Sequence, residues 1–186
     1  RQTALPETAL RDLIVATLAI KYTQSNSVCL AYGGQVTGNG AGQQSRVHCT
    51  RLAADKSDLW FLRQHPAVFA MRFRRGVPRA ERNNAIDVFF IQELSRAEQA
   101  AWESVFEVVP TRLSAAERRI WLDQVQGVAL SSDAFFPFRD SIDRAYRSGV
   151  RYVAQPGGSV HDDLVIAACD EYGMTMSLTN LRLFHH

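Results

Sequence analysis

The spacing of apolar positions along the chain changes twice, and each change predicts a different kind of element. Behind Pro6 at a first helical position and Glu7 in a first turn, Leu10, Leu13, Ile14, Leu18 and Tyr22 recur every three or four residues, as on one side of a helix. From Leu13 to Ile20 ("LIVATLAI") the pattern is apolar nearly all round, so this helix is expected to be central. "SVCLAY" and "QVTGNG" then flank Gly33-Gly34, a dipeptide that supplies the positive φ angles of a two-residue hairpin turn. A long helical pattern begins near Ala41 or Gly42, and His65-Pro66 is expected to end or bend it.

The middle of the chain, "AVFAMRFRRGVPRAERNNAIDVFF", reads as a short helix, a basic loop around Arg72 to Arg79, and another helix. Two amphipathic helices follow, near Ala97 to Phe106 and Ala115 to Val125. In the final third, "VALSSD", "RYVAQP" and "MTMSLT" are short β-rich runs separated by helical patterns at "FRDSIDRAYRSG" and "DDLVIAACDEYG". Each of these helices ends at a glycine suited to the position just past a helix end. Strands alternating with helices at this spacing predict βαβ units and a partly parallel sheet, joined at one edge by the early hairpin. The fold class is therefore α/β, a single layered domain over 1–186 with a mixed sheet and helices on both faces.

Composition narrows the function classes. At 186 residues and 46% hydrophobic content, the chain can bury one substantial core. Twenty-one basic against nineteen acidic residues give a net charge of +2, too small to imply nucleic-acid or acidic-membrane partners. "MRFRRGVPRAER" is expected to be a solvated basic loop. Cys29, Cys49 and Cys169 are too few and too scattered for a disulfide framework, and fit small buried hydrophobes in a reducing cytoplasm. The longest apolar run is far short of the roughly 20 residues of a membrane span. No basic segment followed by an apolar one opens the chain, so no signal peptide is expected. The first residue, Arg1, is not methionine, which fits a trimmed or partial chain.

Candidate chemistry gathers where polar segments follow strands, since ligands of open α/β sheets collect beyond the carboxyl ends of strands. "KYTQSNSV" crowds Thr23, Gln24, Ser25, Asn26 and Ser27 between an apolar helix and the hairpin. "SSDAFFPFRD" places Phe135, Phe136 and Phe138 in a loop, either as packing or as a wall for a flat heterocycle. "PGGSVHDD" is a glycine-rich turn whose N–H groups suit an anion, with ordinary turn chemistry the favoured alternative. "GNGAGQQSR" sets Gln43, Gln44, Ser45 and Arg46 on the first turn of a helix, where an anion would meet the helix dipole and a guanidinium. The five histidines show no metal-binding spacing, and no Cys-x-x-Cys or His-x-Glu pair occurs, so zinc is not expected. There is no Gly-x-Ser-x-Gly elbow.

The blocks "LRDLIVATLAIKYTQSNSVCLAYGGQVTGNGAGQQSRVHCTRLAADK", "SSDAFFPFRDSIDRA" and "TNLRLFHH" strongly resemble the C-terminal half of the aminoimidazole carboxamide ribonucleotide (AICAR) transformylase domain in the bifunctional AICAR transformylase/IMP cyclohydrolase (PurH) family of purine biosynthesis. The resemblance covers essentially the whole chain. It implies a three-layer α/β/α, cytidine-deaminase-like fold without zinc, the second of two tandem units. It also implies formyl transfer from the cosubstrate 10-formyltetrahydrofolate to the 5-amino group of AICAR, in a cytoplasmic homodimer whose active sites draw on both protomers.

Residue by residue, Asn26 resembles the family's nucleotide-contacting asparagine near the reacting amine. Arg46, Phe135 and Arg182 match other AICAR-binding positions. Val47, Asp140, Ser159 and Val160 match folate-contacting ones, Val47 standing where relatives often have isoleucine. Thr23, Ser25, Ser27, Asp133, Leu183 and His185 match positions that hold a monovalent cation, potassium, through oxygen. The family's catalytic lysine–histidine pair belongs to the first tandem unit, and this chain lacks it: Lys21 and Lys56 are its only lysines and neither precedes a histidine. The resemblance thus implies a missing N-terminal transformylase unit, supplied in cis or in trans. The competing reading is a nucleotide- or folate-binding module without catalysis.

Overall fold

The computed structural model describes residues 5–185. In chain order its elements are α1 (Glu7–Lys21), β1 (Val28–Tyr32), β2 (Gln35–Gly40), α2 (Arg46–Leu62), α3 (Pro66–Phe69), β3 (Arg72–Phe73), α4 (Arg79–Phe89), α5 (Arg96–Ser104), β4 (Phe106–Val108), α6 (Ala115–Leu122), β5 (Val128–Ser132), α7 (Asp140–Arg147), β6 (Val150–Gln155), α8 (Asp162–Glu171) and β7 (Thr175–Leu178). The chain divides into two compact units, one of residues 1–60 with 122–186 and one of residues 61–121.

In the first unit a five-stranded mixed sheet runs in the order β2-β1-β5-β6-β7. The hairpin strands are antiparallel to each other, β1 is antiparallel to β5, and β5, β6 and β7 are parallel. This is the α/β architecture expected from strand–helix alternation, with the hairpin added at one edge. Gly33 and Gly34 both have positive φ, 62° and 81°, as the two-residue turn requires. The turn is tied down by Asp12 of α1, whose buried carboxylate accepts from Gly33 N at 2.9 Å and Gly34 N at 2.7 Å.

Alternation along the strands sorts side chains to two faces. Cys29, Ala31 and Ala129 face α1, packing with Leu13, Ala16 and Ile20; these small strand residues let the helix lie close. Gly38 and Gly40, paired with Leu30 and Val28, face α2 instead. A Cβ at Gly38 would stand 2.0 Å from the Ala53 carbonyl oxygen, and one at Gly40 2.2 Å from that of Cys49, so α2 rests directly on the β2 backbone. Further along, Arg144 of α7 and Ser148 just past its end bond to Asp58 of α2, at 2.9 and 2.5 Å. Burial pushes the Asp58 carboxyl up from its usual range, against the opposing pull of Ser148 and Arg144. Helices thus flank both faces of the sheet.

Two expectations fail here. α1 is not surrounded: Leu10, Ile14, Leu18 and Tyr22 form an outward stripe that is 47–76% exposed. A nearly all-apolar helix satisfies one sheet face and leaves its other side bare. The second helix begins at Arg46 and not near Ala41, because Gln43 N and O are paired with Asn26 O and N and so cannot join a helical ladder. All three cysteines are buried, and burial lifts the thiols of Cys29 and Cys169 to about 12 and that of Cys49 to about 11, which keeps them protonated and inert near neutral pH.

The second unit is helical around an aromatic core. Trp102 and Phe106 meet edge to face at 5.0 Å, Phe89 and Phe90 at 5.0 Å, and Phe73 stacks on Phe106 at 4.9 Å. Trp102 Nε1 donates to Ala85 O at 2.8 Å, joining α4 to α5, and a reciprocal Ser95–Glu98 capping box starts α5. The two-stranded pairing of β3 with β4 was not anticipated, since two- and three-residue strands give no readable alternation.

The close approach of α2 to β2 makes a sharp test. Gly38→Ala is expected to lower stability by at least ~3 kcal/mol, because neither the Ala53 carbonyl nor the strand can withdraw without breaking ladder bonds. Urea denaturation measures it, and a loss below ~1 kcal/mol would contradict this packing.

Candidate functional site at the carboxyl edge of the sheet

Chain reversal brings five polar segments to one edge of the first unit's sheet. The loops after β5, β6 and β7 lie at the carboxyl ends of parallel strands. Because β1 runs antiparallel to β5, the segment leading into β1 lies at that same end. Likewise β2, antiparallel to β1, delivers the 41–45 approach and the start of α2 there.

The polar segment 23–27 is built around Asp133, which is fully buried. Asp133 Oδ2 accepts from Ser25 Oγ at 2.5 Å and from Ser27 N at 3.1 Å. Asp133 Oδ1 forms an ion pair with Arg46 Nη1, which also donates to Ser27 O at 2.9 Å. The guanidinium reaches further with Nη2, donating to Asn26 Oδ1 at 3.1 Å, while Asn26 Nδ2 donates to Gln43 O at 2.9 Å. The two partners fix which way the Asn26 carboxamide faces and leave one N–H and one lone pair uncommitted. Cys49 Sγ approaches Asn26 O at 2.9 Å from beneath.

The C-terminal segment closes on the backbone of Asp133 and on Ser25. Leu183 N donates to Asp133 O at 2.9 Å, Ser25 N donates to His185 O at 3.0 Å, and His185 N donates to Ser25 Oγ at 2.7 Å. Arg182, in this segment, is exposed, its guanidinium 5.2 Å from the Phe184 ring. Two polar atoms here are buried without a partner, Ser27 Oγ and Arg46 Nε. Thr23 stands slightly apart, its hydroxyl bonded to Ile20 O at the end of α1.

Of the three loop phenylalanines, Phe135 and Phe138 are exposed at 41% and 61%, whereas Phe136 is fully buried and belongs to the core. Phe136 N donates to Gln155 Oε1 at 2.9 Å. Gln155, a buried amide at the end of β6, also receives Thr179 N on its backbone oxygen at 2.8 Å, so it ties the loops after β5 and β7 together. Sequence reading passed over it; an amide directly after the apolar pair Val153-Ala154 at the end of the strand was the available signal.

The predicted folate-side residues are split. Val47 follows Arg46 on the first turn of α2 and Asp140 opens α7, both half-buried. Ser159 and Val160 lie in the turn before α8, with Val160 90% exposed. Phe138 stacks with His161 at 6.1 Å, joining the Phe135 loop to this turn. The turn shows the ordinary turn chemistry favoured for it: Asp162 Oδ2 accepts from Gly158 N at 2.7 Å and Ser159 N at 3.2 Å.

The chemistry of the oxygen donors bears on the implied potassium. Ser25, Ser27, Leu183 and His185 do gather around Asp133, and the orphaned Ser27 hydroxyl is a donor suited to a hard cation. The carboxylate charge, however, is matched by Arg46, so what the site offers is neutral oxygen, in keeping with a weakly held monovalent ion. Among the described residues no group of three or more His, Cys, Asp or Glu is placed to hold a metal. No helix of the described residues is long and apolar enough to cross a membrane.

Ser25 and Ser27 should respond in opposite ways to loss of their hydroxyls. Ser25→Ala removes a donor to a buried carboxylate and an acceptor for His185 N, and is expected to cost ~1.5–3 kcal/mol. Ser27→Ala deletes an unpartnered polar atom and is expected to be neutral within ~0.5 kcal/mol or slightly stabilising. Chemical denaturation of both variants decides it; equal costs would mean that the hydroxyls are wrongly assigned.

Residues 1–56 match the family model described as AICARFT/IMPCHase bienzyme. The matched stretch runs from α1 through the hairpin into α2, and holds Asn26, Arg46 and Val47. Through the segment that builds one side of this cluster, the chain is similar to the AICARFT/IMPCHase bienzyme family.

Proposed function

We propose that this chain forms the nucleotide- and folate-binding part of an AICAR transformylase, contributing to formyl transfer from 10-formyltetrahydrofolate to the 5-amino group of AICAR. One observation carries the reading. In the family-matched segment Arg46 pairs with a buried carboxylate, Asp133, that lies more than 80 residues away and outside the match, and the same guanidinium holds Asn26. A purely structural ion pair gives no reason to orient an asparagine with hydrogen-bonding capacity to spare.

The reacting amine is conjugated to a carboxamide and is a weak nucleophile. Formyl transfer forms a C–N bond to it, breaks the C–N bond to the folate, and sends an amine proton to a base. The Asn26 carboxamide, held by Arg46 and Gln43, is positioned to bind and orient the amine. Arg46 and Arg182 supply positive charge for an anionic nucleotide. Phe135 offers an apolar face to a flat ring, and Val47, Asp140, Ser159 and Val160 provide the folate side. Thr23, Ser25, Ser27, Asp133, Leu183 and His185 would hold a monovalent cation, whose chemistry is to order oxygen ligands and not to react. The base and the donor to the formyl oxygen come from a lysine–histidine pair on another transformylase unit, in cis or in trans, and the assembly is a homodimer.

A second reading has its own support. The chain has no adjacent lysine and histidine, as a binding module without catalysis would lack them. Titration calorimetry with AICAR should give saturable binding that Asn26→Ala and Arg182→Ala each weaken by ~1.5–3 kcal/mol. Unchanged affinity in both variants would remove the site assignment. Turnover of 10-formyltetrahydrofolate by this chain alone at enzyme-like rates would contradict the placement of the acid–base pair elsewhere, whereas binding without turnover until a lysine–histidine-bearing unit is added separates the transformylase from the binding module.

A further inference from the structure

In the second unit a half-open groove of about 540 Å³ runs along α4 and α5. Ala85 and Val88 line one wall; Ala101, Trp102 and Val105 line the other. Each wall keeps the spacing of a single helix face, with positions 81, 84, 85 and 88 on α4 and 98, 101, 102 and 105 along α5 and its C-terminal cap. Trp102 Nε1 donates to Ala85 O, and Arg112 donates to both Ile91 O and Gln99 Oε1, so the two helices run antiparallel. Seven residue steps make each wall about 10 Å long.

The two ends of the groove are acidic. Glu81, in the first turn of α4, lies at the end nearest Val105, and Glu98, in the first turn of α5, lies at the end closed by Ile91 and Leu94. Glu81 has no ion pair or hydrogen bond among the described residues. Hydrogen bonds from Ser95 hold the Glu98 carboxyl below its usual range, so it is charged near neutral pH. Among the described residues no Lys or Arg lines the groove, although residues 61–121 carry ten Arg against seven Asp and Glu. Carboxylates in a first turn also suit the helix dipole. That role is indifferent to which side of the helix they occupy, and both occupy the groove side. A negative rim on a positive unit selects a cationic occupant.

Shape selects as well. Helical walls offer an extended peptide no unpaired backbone groups, whereas a helix arrives with its own backbone satisfied and can lay apolar side chains at i, i+3, i+4 and i+7 between the two ridges. We propose that this groove docks an amphipathic helix of a partner protein, one whose apolar stripe is flanked at both ends by Lys or Arg. The inference concerns the second unit alone and does not depend on the transformylase reading.

Fluorescence anisotropy of the full chain with a rhodamine-labelled helical peptide of about 18 residues, carrying Leu at those four positions and Lys on either side of them, tests it. Saturable binding with a Kd of about 10–100 μM is expected. The same peptide with Glu in place of each Lys should bind at least about 10-fold more weakly. Glu81→Gln and Glu98→Gln, both at exposed positions and the second keeping the Ser95 capping box, should each weaken binding about 2- to 5-fold, an effect that salt reduces. Ala101→Arg, exposed on its helix, should weaken it at least about 10-fold by filling the groove with bulk and like charge, whereas Leu18→Glu on the bare side of α1 should leave it unchanged. Circular dichroism checks that each variant is folded, and the two Glu→Gln variants decide the matter if Ala101→Arg is not. No saturation by about 500 μM, equal binding of the acidic peptide, or indifference to both Glu→Gln changes would overturn the proposal. So would binding that Leu18→Glu abolishes, or self-association of the chain that Ala101→Arg abolishes, since the groove would then belong to a second copy.

Discussion

The buried ion pair between Asp133 and Arg46 is the constraint on which the carboxyl edge of the sheet depends. A carboxylate with no solvent exposure is tolerable only if its charge and lone pairs are met, and here a guanidinium, a hydroxyl and a backbone N–H meet them. Those partners come from the segment before β1 and the first turn of α2, while the backbone of Asp133 itself receives the C-terminal segment at Leu183. Removing the pair would leave segments 23–27, 43–46 and 181–185 without the group that orders them. The polar interruption between α1 and β1 thus has a physical reason: each hydroxyl and amide there completes a coordination shell around a charge that the sheet has buried.

That shell also fixes the side chains at this edge. Arg46 is clamped by Asp133 and Ser27 O, so its second nitrogen holds Asn26 in one orientation. Preorganisation of this kind lowers the ordering cost of binding. Gln155 does similar work on the aromatic side, fixing the Phe136 backbone so that its neighbour Phe135 projects outward.

Much of this was legible in the sequence, for identifiable reasons. The hairpin followed from Gly33-Gly34 and the parallel strands from their alternation with helices, while blocks resembling a known family singled out Asn26, Arg46 and Asp133 without showing that Arg46 joins the other two. What escaped was set by tertiary contacts. The start of α2 moved to Arg46 because Gln43 pairs with Asn26, a contact between residues 17 apart that no local propensity records. The role of Asp12 as the clasp of the hairpin, and of Gln155 as a tie between loops, depends on which strand lies beside which. The bare side of α1 was misread because an all-apolar pattern reports burial preference and not how many neighbours exist to satisfy it. Short strands β3 and β4 lie below the length at which period-two alternation can be distinguished.

The central claim is that Asp133 and Arg46 act as one unit. A double-mutant cycle in urea with Arg46→Met, Asp133→Asn and their combination measures this most directly. Each single change is expected to cost ~3–5 kcal/mol by leaving an uncompensated buried partner, with the double variant costing at least ~2 kcal/mol less than the sum. Costs that add to within ~0.5 kcal/mol would contradict the account.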